Sequence, residues 1–329
     1  LGDDDARHVG AERIEGLDMK RVQYLHFGAP DELRLDEVEI PDAGKGQIRV
    51  QVRAAAANPM DWKLRRGEMR AISGSRFPRG LGHDFAGVVD AVGPNVKRLK
   101  VGDEVFGVTS IRQAGAFADY VVADEKSAWL KPPSLSFEQA AAFTIVGLTA
   151  WNALVAKARL SAGQSVLITG CLGGVGRSAV QIACVRGANI VGSCSASGRE
   201  EALALGVSEA VDYRAFDVGS YRNRFDVVFD TAGVLSLSQC GAMLKRGGMS
   251  LHIVPTFAKM VGCLLPSRHH LVFGNPTLQA LAGIAEAAEQ GKLAPTIGRI
   301  VPLSEAIPAV VALEKTGLPK GKLVIVSAR

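Results

Sequence analysis

The chain has 329 residues, 47% of them hydrophobic and 22% charged, with a formal net charge of +5. That length suits two domains, and the composition is that of a soluble globular protein with ample core. So modest a charge does not mark a nucleic-acid protein, and the longest nearly apolar run, Phe143 to Ala156, is too short and too interrupted to cross a bilayer.

Residues 1 to 18, LGDDDARHVGAERIEGLD, are acidic and polar, lack the pattern of a secretory signal, and read as a flexible extension or tag ahead of Met19. From Lys20 short strands alternate with turns: Arg21 to Phe27, Leu33 to Ile40 and Gln47 to Ala56. Pro59 and Met60 open a short helical piece ending at Gly67. Phe85 to Val89 and Gly102 to Phe106 continue as strands, which predicts a compact β domain. The basic segment Lys63 to Arg79, with Arg65, Arg66, Arg70 and Arg76, reads either as a mobile cover for a pocket mouth or as a solvated surface.

At Ser136 the period changes. Ser136 and Gln139 have capping-box spacing, and the helix they open leads through Thr149 to a strand of Val166, Leu167, Ile168 and Thr169. Glycines at 170, 173, 174 and 176 follow, then a helix whose apolar face is Ala179, Val180, Ile182, Ala183 and Val185. A second strand, Asn189 to Cys194, completes a βαβ unit. This order suits a dinucleotide pyrophosphate, because a helix N-terminus offers free N–H donors and glycines let the backbone come close. An NAD site usually carries an acid at the end of the second strand. Here Ser193 to Arg199 contain none. The hydroxyls and the Arg199 guanidinium suit a 2′-phosphate and favour NADPH, the plainer reading being a polar loop with Arg199 solvated. Glu200 and Glu201 read as acids favoured by the helix dipole.

Further strands at Ala210 to Tyr213, Phe225 to Asp230, Gly248 to Val254 and His270 to Phe273 bring the count to six. Beyond Asn275 and Pro276 a helix to Gln290 leads to the strands Thr296 to Val301 and Lys322 to Ser327, expected to complete the first domain. Five cysteines, at 171, 184, 194, 240 and 263, have no paired spacing, which fits reduced thiols and a cytoplasmic protein.

Several signatures occur together and in order: Asn58-Pro59-Met60-Asp61-Trp62-Lys63, Gly82-His83-Asp84-Phe85-Ala86-Gly87-Val88-Val89, Val101-Gly102-Asp103-Glu104-Val105-Phe106-Gly107, the Gly170 to Gly176 turn, and Gly321-Lys322-Leu323-Val324. With them the chain resembles the medium-chain dehydrogenase/reductase superfamily, in particular its zinc-independent quinone oxidoreductase-like branch. The resemblance implies an α/β protein in which a GroES-like β-rich catalytic domain (19–135 and 276–329) carries an inserted Rossmann domain (136–275) with a six-stranded doubly wound parallel sheet. It also implies a homodimer and a cleft where nicotinamide meets substrate. By the same resemblance Gly173, Gly174, Val175 and Gly176 line the pyrophosphate, and Ser195, Arg199 and Tyr213 surround the adenosine phosphate. Thr149 approaches the carboxamide, Val254 and Phe273 the nicotinamide ring, and Lys322 the cofactor.

Asn58 and Asp61 fall where the family builds its active-site loop, each open to a structural reading as turn former or helix cap. No cysteine precedes Cys171, which leaves His83, Asp84 and Asp61 as the ligand-type residues of the matching motifs. They read instead as a turn histidine and as caps or partners of Arg65 or Arg79, so no metal is expected. The function expected is hydride transfer from NADPH to a quinone or an enone, with the Asn58 amide or a backbone N–H steadying the developing oxygen charge and water supplying the proton. Alternatives are a dedicated biosynthetic enoyl reductase for a polyketide-like intermediate, and a non-catalytic NADPH-binding regulator or nucleic-acid binder resting on Lys63 to Arg79 and Lys97 to Lys100.

Overall fold

The computed structural model describes residues 18–264, 267–317 and 320–327. The expected extension at residues 1–18 lies outside them except for Asp18, which opens the first strand. Two sheets form the β-rich unit, antiparallel throughout except that Ile297–Pro302 and Lys322–Val326 run parallel. One has three strands in the order Leu33–Glu39, Asp18–Tyr24, Arg79–Gly80. The other has seven: Ile297–Pro302, Lys322–Val326, Gln47–Ala56, Asp84–Val92, Glu104–Val108 and Ala128–Leu130 in order, with Tyr120–Asp124 paired to Gln47–Ala56.

Strand Gln47–Ala56 shows how sequence sets this layer. Its first residues alternate between core and surface, as a half-buried strand must, and the run then turns to three buried alanines. Ala55 faces one core with Val50 and Phe85, whereas Ala54 and Ala56 face another with Ala140, Phe143 and Leu148 of helix Phe137–Trp151. Small side chains let that helix lie directly on the sheet, and Phe106 and Phe143 meet at 5.2 Å between ring centres. With its π-helical continuation the helix spans Phe137–Lys157, long and apolar enough to cross a membrane, yet two-thirds of that window is buried in the protein. Between Ala140 and Ala150 it is almost wholly apolar, and there the sheet covers it on one side and helix Leu278–Glu289 on another.

The remaining sheet is parallel, six-stranded, and ordered Glu209–Asp212, Asn189–Cys194, Ser165–Thr169, Phe225–Asp230, Leu244–His252, His269–Leu271. Both faces are covered. Val166 and Ile168 pack with helix Gly174–Val185, while Leu167 between them packs with Met243 and Leu244 on the opposite face, which is why the strand reads as an unbroken apolar run. The strand order reverses between Ser165–Thr169 and Phe225–Asp230, the place where such sheets open a crevice for ligands.

Two expectations need correction. The strand placed at Gly102 to Phe106 is Glu104–Val108, because Gly102 takes a positive φ of 92° and belongs to the preceding turn. Nor is Lys63 to Arg79 merely a loop or a solvated surface. It takes in the end of helix Pro59–Arg65 and all of Arg70–Ser73; Arg66, Arg70 and Arg76 are exposed, but Arg65 is 1% exposed, donating to the Gly28 carbonyl at 3.0 Å and to Glu314 at 2.5 Å. Arg79, also buried, donates to the Ser73 hydroxyl and the Gly74 carbonyl.

The Arg65 to Glu314 pair joins the start of the chain to helix Ala306–Thr316. Replacing Glu314 with Ala strands a buried guanidinium, and the expected loss in unfolding free energy is about 3–5 kcal/mol by urea denaturation, recovered largely by the double replacement Arg65→Met with Glu314→Leu.

Candidate active site

The strand Ser165–Thr169 ends at Gly170, whose φ of 58° turns the chain, and Gly173 starts helix Gly174–Val185. A β-carbon at position 176 would lie 2.1 Å from the Gly170 carbonyl oxygen, so only glycine permits this tight turn. Gly174, Val175 and Gly176 form the first turn, where N–H groups have no partner inside the helix and the dipole is positive. Against the turn lies a cavity of about 130 Å³ whose lining includes Gly173, Gly174, Arg177, Lys320 and Lys322. A glycine cradle, a helix N-terminus and three cations fit an anionic phosphate bridge.

At the adenosine end, Cys194 is paired with Asp212, so Ser195 and Tyr213 leave neighbouring strands side by side. The Ser195 and Ser197 hydroxyls are 3.1 Å apart, Arg199 begins the next helix, and Tyr213 is exposed with the Arg214 guanidinium 5.0 Å from its ring centre. At the other end of the crevice, Val254 and Phe273 follow strands Leu244–His252 and His269–Leu271 at their carboxyl ends. Thr149 is buried, donates to the Ile145 carbonyl at 2.7 Å, and lies so near Gly274 that a β-carbon there would approach its hydroxyl to 2.7 Å.

The two units meet at Lys322. Its stem passes 3.7 Å from the position a β-carbon on Gly174 would take, and its ammonium donates to the Ala57 carbonyl at 2.7 Å and to Asn58 Oδ1 at 2.5 Å. Asn58 Nδ2 in turn donates to the Ala56 carbonyl at 3.1 Å and to Asp84 Oδ2 at 2.9 Å. Asp84 Oδ1 accepts from the Ile145 backbone N–H at 3.1 Å. Asp61, fully buried, accepts from the Asn58 N–H at 2.7 Å and sits 3.0 Å from His83 Nδ1.

Residues 44–133 match the family described as alcohol dehydrogenase GroES-like domain, and residues 205–325 the family described as zinc-binding dehydrogenase. A 2-methylene-furan-3-one reductase of Solanum lycopersicum is 35% identical over 94% of this chain and 79% of its own length. An NADPH-dependent alkenal/one oxidoreductase of Arabidopsis thaliana chloroplasts is 35% identical over 74% of this chain and 64% of its own. The solved quinone oxidoreductase of Coxiella burnetii superposes with a TM-score of 0.83 at 31% identity, covering 94% of this chain and 99% of that one. The chain belongs to the medium-chain dehydrogenase/reductase superfamily, in its quinone oxidoreductase-like branch.

As a member of that family the protein is an oxidoreductase, and its site departs from expectation in three respects. Asp61 and Asp84 were expected as caps or as partners of Arg65 or Arg79. Asp61 does cap helix Pro59–Arg65, but its second oxygen faces His83, and Asp84 is held by Asn58 and Ile145; among the described residues neither pairs with Arg65 or Arg79. Both protons of the Asn58 amide are engaged inside the protein, whereas Lys322, Arg177 and Lys320 all line the cavity at the glycine turn. Arg177 and Lys320 were not singled out from sequence, although each neighbours a signature glycine. Among the described residues no group of three or more His, Cys, Asp and Glu side chains is placed to hold a metal ion, so no step is assigned to one.

Burial pushes the Asp84 carboxyl up to about 7, opposed by the positive charge of Lys322 and the hydrogen bond from Asn58. Burial likewise lowers Lys322, with Asp84 and Asp61 opposing the shift. A carboxyl raised in the folded state favours folding most at low pH, and that contribution disappears as pH rises from about 4 through about 7. Unfolding free energy measured by urea at pH 5.5 and pH 8 should therefore fall toward the higher pH by on the order of 2 kcal/mol, and Asp84→Asn should flatten that slope whatever its absolute stability.

Proposed function

We propose that this oxidoreductase reduces a quinone or an α,β-unsaturated carbonyl compound with NADPH and without a metal ion. The observation that carries the reading is the meeting of the glycine turn with Lys322 and, behind it, the buried chain through Asn58 to Asp84. When bound, the dinucleotide supplies the hydride. The turn at Gly173, Gly174, Val175 and Gly176 would hold its phosphate bridge, and Ser195, Arg199 and Tyr213 the adenosine end with its 2′-phosphate. Thr149, Val254 and Phe273 would border the nicotinamide ring. Lys322, fixed by Ala57 and Asn58, brings one positive charge to the floor of the crevice. A conjugated acceptor needs no stronger electrophile, because negative charge created at one end of the conjugated system is spread onto its distant oxygen. That oxygen is steadied by the field of Lys322, and water supplies the proton.

The relatives support this reading by their printed activities, a 2-methylene-furan-3-one reductase and an NADPH-dependent alkenal/one oxidoreductase. The nucleic-acid alternative loses support with its basic stretches: Arg65 and Arg66 are paired with Glu314, and Arg98 donates to the Ala128 carbonyl and stacks on Trp129. A cytoplasmic homodimer belongs to the same proposal and rests on the family resemblance and the cysteine pattern.

NADPH oxidation against a panel of quinones, 2-alkenals and cyclic enones tests the proposal directly. Turnover that survives a strong chelator is expected, and turnover abolished by chelation and restored by zinc would overturn the metal-free reading. In Arg199→Ala the Michaelis constant for NADPH should rise about 10-fold or more while that for NADH changes little, since a charge-assisted hydrogen bond to the 2′-phosphate contributes about 1.5–3 kcal/mol. Equal effects on the two cofactors would remove the phosphate role of Arg199.

A further inference from the structure

Two of the cations lining the cavity are tied to one carboxylate outside it. Glu201, in helix Arg199–Ala204, pairs through Oε1 with Arg177 of the glycine-turn helix and, at 2.9 Å, with the ammonium of Lys320. Arg177 is only 9% exposed, and its Nε donates to the Leu172 carbonyl at 3.0 Å. Lys320 stands two residues before Lys322, in the turn that enters the closing strand of the seven-stranded sheet. A single oxygen thus spans the seam between the parallel-sheet unit and the β-rich unit, beside the phosphate cavity. The two cations hold the Glu201 carboxyl below the usual range.

Building on the dinucleotide reading above, we propose that Glu201 is a positioning residue for the phosphate bridge. It draws Lys320 toward Arg177 at the cavity wall, so that both cations face the bound anion and the dinucleotide leaves only when the Glu201 to Lys320 contact opens. Arg177 and Lys320 line the same cavity as Gly173 and Gly174, whereas Arg199 does not line it, so the contact acts on NADPH and NADH alike.

Stopped-flow dissociation of NADPH and of NADH from the full chain, with no acceptor substrate, tests this. Glu201→Gln should speed release of both dinucleotides by the same factor, about two- to fivefold, as expected for a partly exposed ion-pair network. Release from the wild type should quicken with rising salt, and release from Glu201→Gln should lose most of that dependence. Glu201→Asp, which keeps the charge, should retain the salt dependence, and Lys320→Gln should add little to Glu201→Gln in the double variant. Slower release from Glu201→Gln would show that the carboxylate only neutralises the cations, and overturns the proposal. So does unchanged release, or an effect confined to NADPH. A thermal midpoint lowered in Glu201→Gln with release unchanged assigns the cluster to stability alone and equally overturns it. A wild type that binds neither dinucleotide refutes the functional reading itself, whereas tight binding without turnover on any acceptor refutes only the substrate assignment.

Discussion

The carboxylate of Asp84 is the point on which the two halves of the molecule are aligned. It stands at the first position of a central strand of the seven-stranded sheet, with no solvent contact, and takes the backbone N–H of Ile145 from the helix that crosses to the parallel sheet. Its other oxygen takes the Asn58 amide, and Asn58 takes Lys322. One buried acid therefore fixes a helix of one unit, a loop of the other and the cation between them. The arrangement is demanding. A carboxylate removed from water must find hydrogen-bond partners of its own, and each partner it finds becomes fixed in turn. Desolvation and the Lys322 charge act on Asp84 in opposite senses, with the result that a group normally ionised well below neutrality titrates near it.

Much of this architecture was legible from local pattern. The six parallel strands were expected because apolar runs of strand length recurred between helical segments, and the glycine turn because its glycines followed the first of them. Strands Gln47–Ala56 and Phe225–Asp230 fall at their expected limits, since period and flanking turns agree there. The carry-over of Lys322 to the crevice rests on family order, and its stem passes 3.7 Å from the position a β-carbon on Gly174 would take. Gly102 to Phe106 was displaced because a glycine at positive φ lengthened the turn, a backbone property that apolar pattern does not encode.

What sequence did not reveal were pairings between distant residues. Arg65 looks like one charge in a basic run, and only the fold sets Glu314 opposite it, 249 positions away. Glu201 reads as an acid in the first turn of a helix, a local role that its neighbours suffice to explain. Its partners, Arg177 and Lys320, come from two other segments, and nothing in a single sequence joins them. The same holds for Asp61, whose capping role was foreseeable at spacing three while its contact with His83 was not.

The placement of strand Lys322–Val326 has a consequence for how such a chain is made. It pairs with Gln47–Ala56, strands separated by some of the longest intervals in the chain, and Val324 completes the cover of helix Phe137–Trp151. Until those late residues leave the ribosome, an early sheet waits with an open edge, and a helix greasy enough for a lipid bilayer lacks part of its shield. Closure of the β-rich half therefore depends on pairings of long sequence separation, whose loop-closure entropy must be met before their contacts form.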